Sequence, residues 1–119
     1  FIKKALENKP ITIFGDGLTS RDFTFIEDVI QANLRAAISK ASDGNVINVA
    51  YGKRFTLDEL ANKIIDKVNS KSRIEYLPFR KGDVLHSLAD LSKTKKLIDY
   101  NPQFNLSDGL DKAIEFYRK

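Results

Sequence analysis

The chain has 119 residues, of which 42% are hydrophobic and 30% charged, and its formal net charge is +4. These values are typical of one ordinary globular domain with a single modest core. No apolar run approaches the ~20 residues of a membrane-spanning helix, and no signal peptide is visible. The lack of cysteine excludes disulfides and thiolate metal sites, which agrees with a cytoplasmic protein. The basic residues are scattered among 16 acidic ones, whereas nucleic-acid-binding domains concentrate them on one face.

The first half of the chain predicts two helices and three short strands. Residues 1–8 have helical spacing, and the proline that follows ends this helix. Ile11–Phe14 is a β-rich run closed by a Gly-Asp-Gly turn, and residues 19–25 alternate weakly, as in a second short strand. Apolar residues recur at helical spacing over 26–38. The near-continuous apolar run at 45–50 indicates a strand covered on both faces.

The second half predicts three helices and one strand. A capping box at 56–59 opens the most clearly amphipathic helix of the chain. A β-rich run at 73–77 predicts a further strand. We expect Asp90 or Ser92 to cap a short helix, and Ser107 to cap the last one. The sequence therefore predicts a small mixed α/β unit with few, short strands.

Two arginines in predicted loops form the first candidate site. Arg21 follows the glycine turn, and Arg80 precedes a glycine and Asp83. A planar guanidinium donates paired hydrogen bonds to anionic oxygens, so two such groups on separate loops are able to clamp a diphosphate. The plainer interpretation of Arg21 is a surface ion pair with Asp22 or Asp28. Asp83 either caps a turn or accepts hydrogen bonds from ribose hydroxyls.

Other residues of interest carry weaker signals. Phe14 and Phe23 are, on composition, more often core residues than stacking platforms. His86 is the only histidine, which excludes a multi-histidine metal site, and we interpret it as structural or peripheral. The Gly-Asp-Gly turn lacks the third glycine and the immediate helix of a dinucleotide-binding fingerprint. We therefore predict no catalytic residue and no metal site in this chain.

At these residues the sequence resembles the C-terminal, substrate-binding part of the extended short-chain dehydrogenase/reductase family. It is most similar to nucleotide-sugar epimerases and dehydratases, above all UDP-glucose and UDP-N-acetylglucosamine 4-epimerases. The similarity spans nearly the whole chain, and the matching blocks occur in family order. They are Thr12–Gly17 with Arg21–Val29, Asn48–Gly52 with Leu57–Leu60, Arg80–Asp83 with Asp90–Lys93, and Tyr100–Pro102 with Gly109 and Leu110.

The resemblance implies roles for five residues. Arg21 and Arg80 match the arginines that hold the diphosphate of the sugar nucleotide. Phe14 matches a residue that lines the base pocket, and Asp83 matches a carboxylate that contacts the ribose. Phe23 stands where several epimerases have tyrosine, so a hydroxyl contribution is lost there. The implied ligand is a UDP-sugar.

The resemblance also implies what residues 1–119 lack. In intact family members an N-terminal Rossmann domain binds NAD and supplies a catalytic tyrosine and lysine. No tyrosine of this chain is followed by lysine four positions later. We therefore expect a C-terminal nucleotide-sugar-binding domain that normally packs on that Rossmann domain, and that alone is inactive and binds no NAD. The start within a predicted helix, without methionine, predicts a fragment of a longer enzyme, and its uncovered apolar surface favours a homodimer.

Two alternatives remain open from the sequence. Within the family, the same role is possible in a dTDP-glucose 4,6-dehydratase or a UDP-glucuronate decarboxylase. Outside it, the calculated pI of about 9.3 is compatible with a basic binding module for RNA or a partner protein. The salt dependence of binding separates the two classes, because a nucleic-acid binder loses affinity steeply with salt.

Overall fold

The computed structural model describes the whole chain, Phe1–Lys119. The helices are α1 (Ile2–Leu6), α2 (Ile26–Ile38), α3 (Leu57–Val68), α4 (Ser92–Ile98) and α5 (Leu106–Arg118), with a 3₁₀ turn at Lys40–Ser42. The strands are β1 (Ile11–Phe14), β2 (Ser20–Arg21), β3 (Phe55–Thr56) and β4 (Ile74–Leu77). This is the mixed α/β architecture with few, short strands that the sequence predicts. The longest helices have 13 residues, too few to cross a bilayer.

The strands form two pairs that bring distant loops together. β1 and β4 are parallel, from the pair Ile11–Ile74 to the pair Phe14–Leu77. β2 and β3 are antiparallel and pair at two positions only, so the strand predicted at 19–25 is much shorter than expected. Because the carboxyl ends of parallel strands meet at one edge, the segments that follow β1 and β4 start side by side.

The main core lies between α1, β1, α3 and α5. Its eight buried residues are Ala5, Ile11, Ile13, Ala61, Ile64, Leu106, Leu110 and Ile114. Within β1, Ile11 and Ile13 are buried in this core, whereas Thr12 and Phe14 are only partly buried. Successive strand residues point to opposite faces, so burial of the two isoleucines directs Phe14 away from the core.

A second, smaller core is organised by Tyr100. The cluster joins Ala32 of α2 with Ala50, Leu91, Ile98 and Tyr100. The Tyr100 hydroxyl donates a hydrogen bond of 2.9 Å to the carbonyl oxygen of Ala50. Burial, reinforced by the negative charges of Asp28 and Asp22, raises the pKa of Tyr100 to about 12. The neutral phenol is therefore part of the folded state.

Tyr100 is expected to make the fold sensitive to alkali. Its pKa in the folded chain exceeds the value of about 10 for a free tyrosine, so its stabilisation is complete below pH ~10. That stabilisation is lost as the pH rises towards 12. Tyr100→Phe should lower the free energy of unfolding by about 1 kcal/mol at neutral pH and flatten the decline above pH ~10. Urea unfolding across this pH range measures both, with the exposed Tyr117→Phe as control. Identical alkaline profiles for the two variants would refute this role.

Helix starts follow the predicted capping chemistry in one case and differ in others. The capping box of α3 is confirmed, with Thr56 and Glu59 bonded reciprocally at 3.1 and 2.7 Å. The cap predicted at Ser107 is wrong, because the N-cap lies two residues earlier, at Asn105, whose side chain accepts from the N–H groups of Ser107 and Asp108. At α4 the N-cap residue is Leu91, without a side-chain cap bond, so neither predicted residue occupies the cap; Asp90 instead accepts from the Ser92 N–H at 2.8 Å. That hydrogen bond lowers the pKa of Asp90.

The region from α2 to residue 50 departs most from the prediction. Residues 45–50, predicted as a strand, form none, because no other segment of this chain pairs with them, and Val46 is 87% exposed. In α2 the predicted apolar stripe is exposed, while Asp28 and Ala32 face inward. The exposed stripe consists of Ile26, Ile30, Leu34 and Ile38.

Candidate functional site

The Gly-Asp-Gly turn after β1 fixes the path of the chain towards β2. Gly15 and Gly17 have φ angles of +97° and +83°, in the region that favours glycine. A Cβ atom on Gly15 would clash with the ring of Phe79, and one on Gly17 would clash with the carboxylate of Asp58. The Asp16 carboxylate accepts from the Leu18 N–H at 3.0 Å. The turn therefore requires glycine at both positions for conformation and for space.

Four of the five predicted site residues line one cavity of about 270 Å³ beside this turn. Phe14 ends β1, Arg21 lies in β2, and Arg80 and Asp83 lie in the loop that follows β4. The parallel β1–β4 pairing starts the Arg80 loop next to Phe14. The remaining lining residues are Phe1, Thr12, Ile13, Thr19 and Leu57.

The two arginines in this cavity have no carboxylate partner. All five ion pairs of the chain lie elsewhere. The guanidinium carbon of Arg80 lies 3.6 Å from the centre of the Phe14 ring, a cation–π contact that holds the group in place. Arg21 donates through Nη1 to the carbonyl oxygens of Ser20 and Leu85, at 2.9 and 3.4 Å. The cavity therefore holds two guanidinium groups without an ion-pair partner, and the carboxylate of Asp83 lies in the same lining.

Neither acid that the sequence offered as a partner for Arg21 pairs with it. Asp22 accepts instead from the backbone N–H groups of Tyr51 and Gly52, each at 3.0 Å. Asp28 is 1% exposed and accepts from the N–H groups of residues 103 and 104. Both carboxylates thus fix loop backbone and leave the guanidinium of Arg21 available.

Asp83 lies in a turn, but its side chain caps nothing. The Asp83 N–H donates to the Arg80 carbonyl at 3.3 Å, and Gly82 has a φ angle of +88°. The carboxylate itself makes no hydrogen bond within the chain. Its oxygens are therefore available to hydroxyl donors of a ligand.

Phe23 does not lie with the other four residues. It packs against the main core and lines two apolar depressions, in both cases with Leu60 and Leu110. The structure therefore assigns Phe23 a packing position and leaves the cavity to Phe14, Arg21, Arg80 and Asp83.

Two threonines of the cavity were absent from the sequence-based candidates. Thr12 shares a face of β1 with Phe14, and its hydroxyl accepts from the Lys4 ammonium at 3.0 Å. Thr19 is buried at the cavity wall. Strand alternation from Phe14 was a sufficient signal for Thr12. The strand predicted at 19–25 gives a comparable signal for Thr19, since alternation places it on the face of Arg21.

The glycine turn does not form a dinucleotide site. In that kind of site the turn opens a helix whose N-terminus faces the pyrophosphate. Here Gly15 and Gly17 lead into the strand β2. This turn therefore lacks the geometry of the dinucleotide fingerprint, and the cavity beside it combines two guanidinium groups with an aromatic ring and a carboxylate.

Comparison with known proteins gives consistent matches. Residues 1–50 match the model of the "NAD dependent epimerase/dehydratase family". The chain is 35% identical to a UDP-glucuronate 4-epimerase of Thermodesulfobacterium geofontis, over 100% of this chain and 36% of that protein. It thus spans little more than a third of the length of such relatives.

Solved structures agree with the sequence matches. A Thermotoga maritima UDP-glucose 4-epimerase with UDP-glucose superimposes with a TM-score of 0.92 and 32% identity, over 98% of this chain and 37% of that one. A Bacillus cereus UDP-glucuronic acid 4-epimerase in complex with UDP-glucuronic acid and NAD superimposes with a TM-score of 0.92 and 33% identity, over 98% of this chain and 38% of that one. The fold and the sequence lead to the same result: the chain belongs to the NAD-dependent epimerase/dehydratase family.

Proposed function

We propose that this chain is the C-terminal nucleotide-sugar-binding domain of an NAD-dependent nucleotide-sugar 4-epimerase and holds the diphosphate of a UDP-sugar. One observation carries the proposal: Arg21 and Arg80 line a single cavity, and neither has a carboxylate partner. The names of the similar epimerases support the choice of UDP-sugars as the ligand class.

The chemistry of the cavity suits a nucleoside diphosphate. Guanidinium groups bind phosphate oxygens through paired, charge-assisted hydrogen bonds. Arg80 is held in place by its contact with Phe14, so less conformational freedom is lost when a phosphate binds. In this proposal Phe14 lines the base pocket, and the unpaired carboxylate of Asp83 accepts from the ribose.

The proposed role is positioning, without chemistry at the sugar. The nucleotide does not react, but anchoring it fixes where the attached sugar lies, and such remote binding energy favours the reacting geometry. The chain offers no tyrosine–lysine pair at the required spacing. The NAD-binding Rossmann domain and the catalytic groups are assigned to the rest of the enzyme, and the chain alone is expected to be inactive.

The exposed face of α2 is the proposed contact with that Rossmann domain. Ile30, Leu34 and Ile38 are exposed along one side of the helix. The unpaired segment 45–49 follows, with the apolar sequence of a covered strand. An apolar stripe together with a strand-like sequence that has no pairing partner is the surface expected where a further sheet packs. The relatives are long enough to supply one, since the chain spans 36% of the T. geofontis protein.

In the isolated chain we expect this face to cause self-association. Ile30→Lys combined with Leu34→Lys should shift the chain from dimer to monomer, because two charges on the stripe oppose its burial. Light scattering after size exclusion at several concentrations measures the change. Gln31→Lys with Asn33→Lys is the matched control on exposed polar positions of the same helix. A monomeric parent chain at all concentrations would contradict the expectation.

Calorimetric titration with UDP, UMP and uridine tests the proposed function. The proposal expects one saturable site that prefers UDP, with a modest dependence on salt. Binding of uridine as tight as that of UDP would contradict a diphosphate clamp. A steep loss of affinity for many unrelated RNA sequences with salt would favour a nucleic-acid-binding module instead.

A further inference from the structure

The back of β2 carries a contact that the proposed site does not use. Ser20 and Arg21 are consecutive in an extended strand, so their side chains point to opposite sides. Arg21 lines the cavity, whereas Ser20 faces a separate depression that His86 also lines. Ser20 is 6% exposed, and its Oγ lies 2.8 Å from Nδ1 of His86.

The loop that carries Arg80 is held by contacts at its two ends. Residues 78–85 contain no helix or strand and are exposed throughout. At the start, the Gly15 N–H donates to the Leu77 carbonyl at 2.7 Å, and Phe79 covers Gly15. At the end, the Ser20 N–H donates to the Leu85 carbonyl at 2.9 Å, and the Ser87 N–H donates to the Ser20 carbonyl at 3.1 Å.

The Ser20–His86 contact adds a side-chain hydrogen bond to the attachment at the end of the loop. Two backbone hydrogen bonds alone give the end of an otherwise exposed loop little resistance to local opening. The hydroxyl–imidazole bond adds a third link at the same point, beside the isolated parallel bridge between the same two residues. Arg21 also donates to Leu85, so this attachment connects the strand of one arginine with the loop of the other.

We infer that Ser20 and His86 are a positioning pair, which fixes the end of the loop on the back of β2 and thereby holds Arg80 at the cavity that Arg21 lines on the front. Neither residue touches the ligand in this arrangement. The inference rests on the proposed function for its ligand, UDP, but the attachment of the loop is testable without any ligand.

The first test is amide hydrogen exchange in the full chain without ligand. In Ser20→Ala the N–H groups of residues 20 and 87 should exchange about threefold to tenfold faster, the range of one net hydrogen bond. Ser20→Thr keeps a hydroxyl and should restore slow exchange. The amide of Ile64 in the core serves as an internal control. Unchanged exchange at both positions in Ser20→Ala would overturn the inference.

The second test is UDP affinity in a mutant cycle. Ser20→Ala and His86→Ala should each weaken UDP binding about threefold to tenfold, and the double variant should be no weaker than the worse single one. In an Arg80→Ala background, Ser20→Ala should have no further effect, because the arginine that it positions is gone. Equal losses with and without Arg80 would indicate a general structural role and overturn the inference.

The two tests separate failure of the inference from failure of the proposed function. If the parent chain binds no UDP, the proposed function fails and the exchange experiment alone decides whether the pair fixes the loop. If UDP binds and Arg80→Ala weakens binding while Ser20→Ala does not, the proposed function stands and the positioning pair is refuted.

Discussion

Arg80→Ala is expected to weaken UDP binding by about tenfold to a hundredfold, and Arg21→Ala by a similar factor. A hydrogen bond to a charged group contributes about 1.5–3 kcal/mol, and each 1.4 kcal/mol is about tenfold in affinity. Neither guanidinium has a carboxylate partner in the chain. Removing one of them therefore leaves no carboxylate of the chain without an ion-pair partner, and the main expected loss is in UDP affinity. Calorimetric titration with UDP measures the effect.

Lysine variants separate charge from geometry. Arg80→Lys keeps the positive charge but loses the planar group that stacks on Phe14 at 3.6 Å and the paired donors. Its affinity should therefore fall between those of the parent and Arg80→Ala. Arg73→Ala is the matched control, since Arg73 is exposed, pairs with Glu75 at 3.4 Å and lies outside the cavity. If Arg80→Ala binds UDP as tightly as Arg73→Ala, the diphosphate clamp is wrong.

Asp28→Ala is expected to lower the free energy of unfolding by about 2–6 kcal/mol, because each of two backbone donors left without its acceptor costs about 1–3 kcal/mol. The carboxylate is 1% exposed and accepts from the Gln103 and Phe104 N–H groups at 2.8 and 3.2 Å. Alanine would leave both donors without an acceptor. Because domains of this size are stable by only about 5–15 kcal/mol, the change is a large fraction of the total. Urea unfolding measures it.

Two further variants test the origin of that loss. Asp28→Asn keeps one acceptor oxygen but places an amide donor against the second N–H, so an intermediate loss is expected. Glu27→Ala is the control on the same helix, where a half-exposed ion pair with Lys112 at 3.0 Å contributes about 0–1 kcal/mol. Equal stability losses for Asp28→Ala and Glu27→Ala would contradict the anchoring role of Asp28.

Much of the fold is predictable where local signals decide it. The capping box at Thr56 and Glu59 satisfies backbone donors locally, and the β-rich run of β1 finds its partner strand, β4, within the chain; both are found where expected. The run at 45–50 has the same kind of apolar pattern but needs a neighbouring strand, and this chain supplies none. The apolar stripe of α2 is exposed because the opposite face of the helix packs inward. On that face Asp28 accepts hydrogen bonds from the backbone N–H groups of residues 103 and 104.

The sequence indicates which residues are candidates for the site, but it does not indicate that they lie close together. Arg21 and Arg80 were identified by their glycine-containing surroundings and by family resemblance. That they share a cavity depends on the parallel pairing of β1 with β4, which no local pattern specifies. Phe23 shows the limit of such patterns, because an aromatic residue among other aromatics is typical both of a ligand-binding site and of a core. In the structure Phe23 packs against the core.

A crystal structure of the chain with UDP tests the central claim most directly. The account predicts diphosphate oxygens within hydrogen-bonding distance of the guanidinium groups of both Arg21 and Arg80, with the uracil beside Phe14. UDP bound in another depression of the surface, or held by only one of the two arginines, would contradict it.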